Sequence, residues 1–100
     1  MPSFTLTNKA IADLKDIGQY TQKHWGREQR NLYLRMLDTS FQQLAANPLV
    51  GKDCSDIRDG YRKCNAGSHV IFYSQKSGDT IEIVRILHGR MDCEARISSP

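Results

Sequence analysis

Five side chains in the second half of this 100-residue sequence could act on a phosphodiester: Arg62, Glu82, Arg85, His88 and Arg90. Cleaving RNA needs a base for the 2′ hydroxyl, an acid for the leaving oxygen and a cation for the phosphorane-like state. His88 could serve as acid or base, Glu82 as an alternative base, and Arg62, Arg85 and Arg90 as cations. Strand geometry weighs against the set. In a regular strand Arg85 and His88 point to opposite faces, and Glu82, which shares the parity of His88, also shares that face with the apolar Val84 and Ile86. A bulge would undo this parity. The structural alternatives are that Arg85 pairs with Asp79, Asp92 or a partner carboxylate, and that His88 and His69 are hydrogen-bonded residues near strand ends. His24 reads as a helix-end residue interacting with the dipole, and Trp25 beside it as core.

Cys54, Cys64 and Cys93 are odd in number, lack C-x-x-C spacing and have no histidine at finger-like spacing, so they read as structural thiols. No metal or other cofactor is expected. The formal charge of +3 raises the question of nucleic acid, but the distribution answers it: six Lys/Arg stand against four Asp/Glu in residues 1–50, and eight against seven in residues 51–100. Neither half is a basic arm, so direct binding to nucleic acid is not indicated and an acidic protein partner fits as well. A hydrophobic fraction of 39% and a charged fraction of 25% are those of an ordinary globular chain. One domain over residues 1–100 is expected, with a C-terminal tail from about residue 92. The longest apolar run, Val70 to Tyr73, is far too short for a membrane helix, and residues 1–20 lack the apolar core of a signal peptide, so the expected location is cytoplasmic.

The elements that position these residues follow from periodicity. Ser3 to Leu6 alternates as an opening strand, and Thr7 or Asn8 then offers an N-cap. Ala10, Ile11, Leu14, Ile17 and Tyr20 or Thr21 mark an amphipathic helix ending near Trp25, with Asp13 placed among the polar residues of its other side. Gly26 turns the chain into a second helix over about 27–46, with Leu34, Leu37, Phe41, Leu44 and Ala45 on its apolar stripe, stopped by Asn47-Pro48. A tight link of this kind predicts an antiparallel helix hairpin. Residues 47–60 read as a surface loop. Three strands follow, 61–65, 68–75 and 80–87, joined by turns at Ala66-Gly67 and Lys76 to Asp79. The last carries Ile81, Ile83 and Leu87 on one face and Val84 and Ile86 on the other, which makes it central and covered on both sides. The fold class is therefore α+β, in the order β-α-α-β-β-β: an N-terminal strand and a helix hairpin packed on an antiparallel sheet. With one hairpin to cover one face, the other is left concave and partly apolar, a groove for a partner.

These segments carry a resemblance. Asp56-Ile57-Arg58-x-Gly60-Tyr61-Arg62, Gly67 through Tyr73, and Ile83 through Asp92, preceded by Ala12-Asp13-Leu14-x-x-Ile17, Trp25-Gly26 and Leu44-x-x-Asn47-Pro48, together resemble the ParE branch of the RelE/ParE toxin superfamily, over about the whole chain. The resemblance implies the toxin of a type II toxin–antitoxin system that stabilises a plasmid or chromosome. Its partner would be a ParD-like antitoxin and its target DNA gyrase, at the A subunit, trapped on cleaved DNA without catalysis by the toxin. DNA would be met only through the antitoxin or gyrase. In the family the C-terminal part is associated with gyrase poisoning, which maps onto Arg85, His88, Arg90 and Met91. Antitoxin contacts are expected at Leu14, Ile17, Leu37 and Phe41, where an amphipathic helix could lie, and at Arg58 and Arg62, with Lys63 and Arg96 on the same surface.

The RelE branch shares the scaffold but cleaves mRNA on the ribosome, so a ribosome-dependent endoribonuclease using His88 with Arg62, Arg85 or Arg90 is the alternative. That branch commonly closes with a tyrosine-containing C-terminal strand, whereas no tyrosine follows Tyr73 here. A third reading keeps only the antitoxin complex and its autoregulatory role. The non-catalytic reading leads.

Overall fold

The computed structural model describes residues 2–89. Residues 90–100 lie outside it, and with them Arg90, Met91, Cys93, Arg96 and the tail. Strand β1 (Ser3–Leu6) leads into α1 (Asn8–Trp25) and α2 (Arg27–Ala46), followed by β2 (Lys52–Asp53), β3 (Tyr61–Ala66), β4 (His69–Gln75) and β5 (Thr80–His88). The α+β class and the helix hairpin stand as expected. Thr7 is the N-cap, its Oγ1 accepting from the Ala10 amide at 3.0 Å, and Gly26, at a φ of 94° open to glycine, carries the chain from one helix into the next.

The sheet departs from expectation in three places. It has five strands in the order β1-β5-β4-β3-β2, and β1 runs parallel to β5, so the sheet is mixed rather than antiparallel. The physical reason is the hairpin itself: two antiparallel helices return the chain near its start, and the three-strand meander then delivers β5 alongside β1 in the same direction. The supposed loop 47–60 contributes the two-residue β2, which pairs with Arg62 and Lys63. Finally, β5 is irregular. Phe72 lies opposite Arg85 and Tyr73 opposite Ile83, leaving Val84 without a counterpart. This bulge changes the parity beyond it. Ile81, Ile83 and Ile86 all join the core under the helices, while Leu87 joins a cluster on the opposite face.

The helix-side core brings Ala10, Ile17, Leu37, Phe41, Leu44 and Ala45 onto Ile71, Tyr73 and the three isoleucines of β5. The far face is not an open groove. Residues from Cys54 to Tyr61 fold beneath the sheet, and Cys54 and Ile57 pack with Phe72, Leu87, Val70 and Tyr61, so that Phe72 and Leu87 are buried. β5 is thus covered on both sides, as its composition demands. The hairpin overhangs this body: every residue from Gln22 to Gln29 is exposed. Trp25, expected in the core, is 72% exposed because it ends α1 at the apex, beyond the sheet. Among the described residues no helix is long and apolar enough to cross a membrane.

Candidate functional site

Register on the sheet shows which of the sequence candidates meet. His88 lies opposite His69, which lies opposite Ala66, whereas Arg62 lies opposite Tyr73. Four residues along β3 separate those rows, roughly 13 Å at strand rise. Glu82 stands six residues before His88 on β5, roughly 20 Å away, and its carboxylate is 3.4 Å from the Lys76 ammonium. The two candidate cations among the described residues, Arg62 and Arg85, are engaged elsewhere. Arg62 donates from Nη1 to the Gly51 carbonyl at 2.7 Å, tying the loop after α2 to β3.

Arg85 makes a forked contact with Asp13: Nε donates to Oδ2 at 2.8 Å and Nη2 to Oδ1 at 3.0 Å. Only 17% and 12% of the two side chains is exposed. Asp13, which the helical wheel put on the polar side of α1, therefore faces the sheet; Asp79 is not the carboxylate of this pair, and Asp92 lies outside the described residues. Its hydrogen bonds to Arg85 raise the pKa of the guanidinium further, so the cation is permanent. The bulge lies before both Arg85 and His88, and the register from Arg85 to His88 is regular, so the two keep the opposite parity expected of a strand; Arg85 nonetheless reaches Asp13 on α1, and His88 stands beside His69, whose other neighbour is on α2.

What His88 does meet is aromatic. Its ring lies 5.4 Å from that of His69, edge to face, and His69 Nδ1 is 2.6 Å from the hydroxyl of Tyr33 on α2. The Tyr33 oxygen also accepts from the Ser68 amide at 3.0 Å. Gly67 makes this possible, because a Cβ there would lie 2.7 Å from the Tyr33 hydroxyl. Burial, and next the neighbouring His88, push the His69 pKa below its ordinary value. The neutral form of His69 is thereby favoured, and it shares a hydrogen bond through Nδ1 with the Tyr33 hydroxyl. The sequence reading missed this trio, because His69 meets His88 only through the observed strand register and the bulge before Arg85.

Of the apolar candidates, Leu37, Phe41 and Ile17 are buried and Leu14 is packed against the same core, so in this fold they present little surface. The accessible apolar set is different: Tyr20, Trp25 and Leu32 near the hairpin apex, with Leu49 and Val50 after α2. Tyr20 stacks on His24 at 4.1 Å. Just inside the apex, a cleft between the helices is lined by Leu14, Gly18, Gln22, Arg30 and Leu34. Arg58, exposed, lies over the Tyr61 ring with 6.0 Å to its centroid. Among the described residues, no group of three or more His, Cys, Asp or Glu could hold a metal ion.

The family model for the ParE toxin of the type II toxin–antitoxin system parDE matches residues 4–93. The chain belongs to the ParE toxin family. Toxin ParE1 of Mycobacterium tuberculosis is 43% identical over 94% of this chain and 96% of its own length, and Toxin ParE1 of Caulobacter vibrioides 39% identical over 97% and 99%. In three dimensions the fold is similar to a chain of the chromosomal ParDE system of P. aeruginosa, with a TM-score of 0.74 and 25% identity over 88% of this chain and 96% of that one.

For this ParE toxin the histidine trio gives a pH prediction. The folded pKa of His69 lies below the unfolded value, so its contribution to stability is fully present above the unfolded pKa of about 6.5 and is lost as pH falls through the folded pKa. Urea midpoints should drop between pH 7 and the folded pKa, and His69→Gln should flatten that slope. An identical slope in the variant would assign the effect to other groups.

Proposed function

We propose that this ParE toxin disables DNA gyrase by protein–protein contact, without catalysis, and is neutralised by a ParD-like antitoxin. The observation that carries the non-catalytic part is the dispersal of the nuclease set. Of the candidate arginines among the described residues, Arg62 sits four residues along on a loop carbonyl and Arg85 is held by Asp13, so each is committed away from His88. An acid–base pair with a cation needs all three within reach of one phosphate. Family membership supports the toxin and antitoxin roles.

The gyrase contact falls to His88 and to Arg90 and Met91 beyond it, with Arg85 held one turn of chain back; the A subunit is the proposed target. The antitoxin contact falls to the hairpin. Exposed Trp25, Tyr20 and Leu32 on the hairpin, and the cleft between its two helices, suit an amphipathic helical segment that folds as it binds. Arg58, on the far side of the sheet over Tyr61, is a separate contact for an acidic tail. DNA is reached through the antitoxin or gyrase.

The test is a gyrase supercoiling and cleavage assay with the isolated toxin, run beside mRNA cleavage on programmed ribosomes. Supercoiling should stop with cleaved DNA accumulating, the antitoxin should reverse this, and mRNA should stay intact. Cut mRNA with untouched gyrase would sink the proposal and return His88 to the catalytic candidates.

A further inference from the structure

β1 ends at Leu6, opposite Ile83, and past that point β5 runs on without a strand on this side. Side chains at the start of α1 take over. The Thr7 amide donates to the Ile83 carbonyl at 3.1 Å and its Oγ1 to the Val84 carbonyl at 2.7 Å. Asp13 Oδ2 accepts the Ile86 amide at 2.9 Å while the same carboxylate holds the fork of Arg85. Three bonds from one carboxylate thus close around the residue pair that follows the bulge at Val84.

We propose that Asp13 is a positioning residue for the C-terminal end of the sheet: through Arg85 and the Ile86 amide it fixes the bulge, and so decides on which face His88, the last residue of β5, stands. A bulge leaves one residue unpaired and disrupts the ladder locally, so the backbone groups and side chains beside it need partners from outside the strand pair. Sliding it out reverses every side chain after it. Ile86 would leave the helix-side core, Leu87 would leave the far cluster with Phe72, and His88 would part from His69 and Tyr33. The clamp is built to resist this, being charge-assisted, forked and mostly shielded from water, unlike an exposed ion pair. Asp13 and Arg85 therefore act on the target through the segment they aim. The effector role of that segment rests on the gyrase reading above; the clamp does not.

Asp13→Ala removes all three bonds and, alanine being the best helix former, leaves α1 intact. Hydrogen exchange resolved by residue should then speed up about tenfold or more at Ile86, Leu87 and His88, with Ile81 and Ile83 unchanged. Gyrase inhibition should fall by about tenfold or more, while antitoxin affinity stays within about twofold. Arg85→Lys keeps the charge but cannot fork, and should open the same amides to a smaller extent. Acceleration spread evenly along β5 would reveal a general loss of stability and overturn the proposal. So would a locally opened strand end with gyrase inhibition at full strength. If the unmutated toxin leaves gyrase untouched, the target reading fails, and the exchange pattern alone decides whether Asp13 holds the strand end.

Discussion

Replacing Trp25 with alanine should lower antitoxin affinity by about thirtyfold or more, since buried tryptophan anchors are worth about 2 kcal/mol or above at interfaces. The melting temperature of the free toxin should move by no more than about 4 °C, the scale of a surface change in a domain this size. The contrast follows from position. Trp25 closes α1 at an apex where every residue from Gln22 to Gln29 is exposed, so its ring contributes little to the folded state. Tyr20, stacked on His24, and Leu32 are also exposed on the hairpin, and a partner covering these side chains gains apolar area that the free toxin leaves in water. Calorimetric titration with the antitoxin, beside thermal melts of the toxin alone, separates the two quantities. Unchanged affinity would move the antitoxin off the hairpin; a collapsed melting temperature would make Trp25 a folding residue after all.

The second large effect concerns stability. Tyr73→Phe should destabilise the toxin by about 3 kcal/mol, or roughly 12–24 °C in melting temperature. Tyr73 is fully buried, and its hydroxyl donates to the Pro48 carbonyl at 2.8 Å and accepts the Gly51 amide at 2.9 Å. Deleting one oxygen strands both backbone groups. The fit has no slack, for a Cβ at residue 51 would lie 2.3 Å from that oxygen. Gly51→Ala should therefore be damaging for the opposite reason, by expelling the hydroxyl. With the loop goes the carbonyl that Arg62 binds, and with it the anchorage of β2 on β3. A melting temperature unmoved by Tyr73→Phe would mean that residues 48–51 hold themselves.

The elements were legible in the sequence because their signals are local. Thr7 as cap, Gly26 as hinge, the apolar stripes and the period-two runs each depend on a few neighbouring residues. Three-dimensional pairings were not. The partner of β1 lies nearly eighty residues away and no local pattern announces it. The bulge left no mark either, since Ile-Val-Arg-Ile-Leu reads equally well with and without an extra residue at Val84. Asp13 could have been caught: with Ala10 and Ile17 it keeps the three-and-four spacing of the buried stripe, but its charge sent it to the solvent side of the wheel. Trp25 shows the converse error, an aromatic residue taken for core on its type when its place beside the hinge carried it past the sheet. Leu37 and Phe41 were read as both core and interface, and burial leaves them to the core.

Residues 3–6 hydrogen-bond to residues 80–83, so the first strand to be synthesised waits for the last. A chain halted before residue 80 has no partner for β1, no Ile81, Ile83 or Ile86 beneath the helices, and no backbone for Thr7 and Asp13 to grip. Such long-range closure slows folding and leaves no stable half-product. A copy of this ParE toxin truncated before residue 80 should therefore stay unfolded and bind neither partner, which circular dichroism of the truncated chain would check.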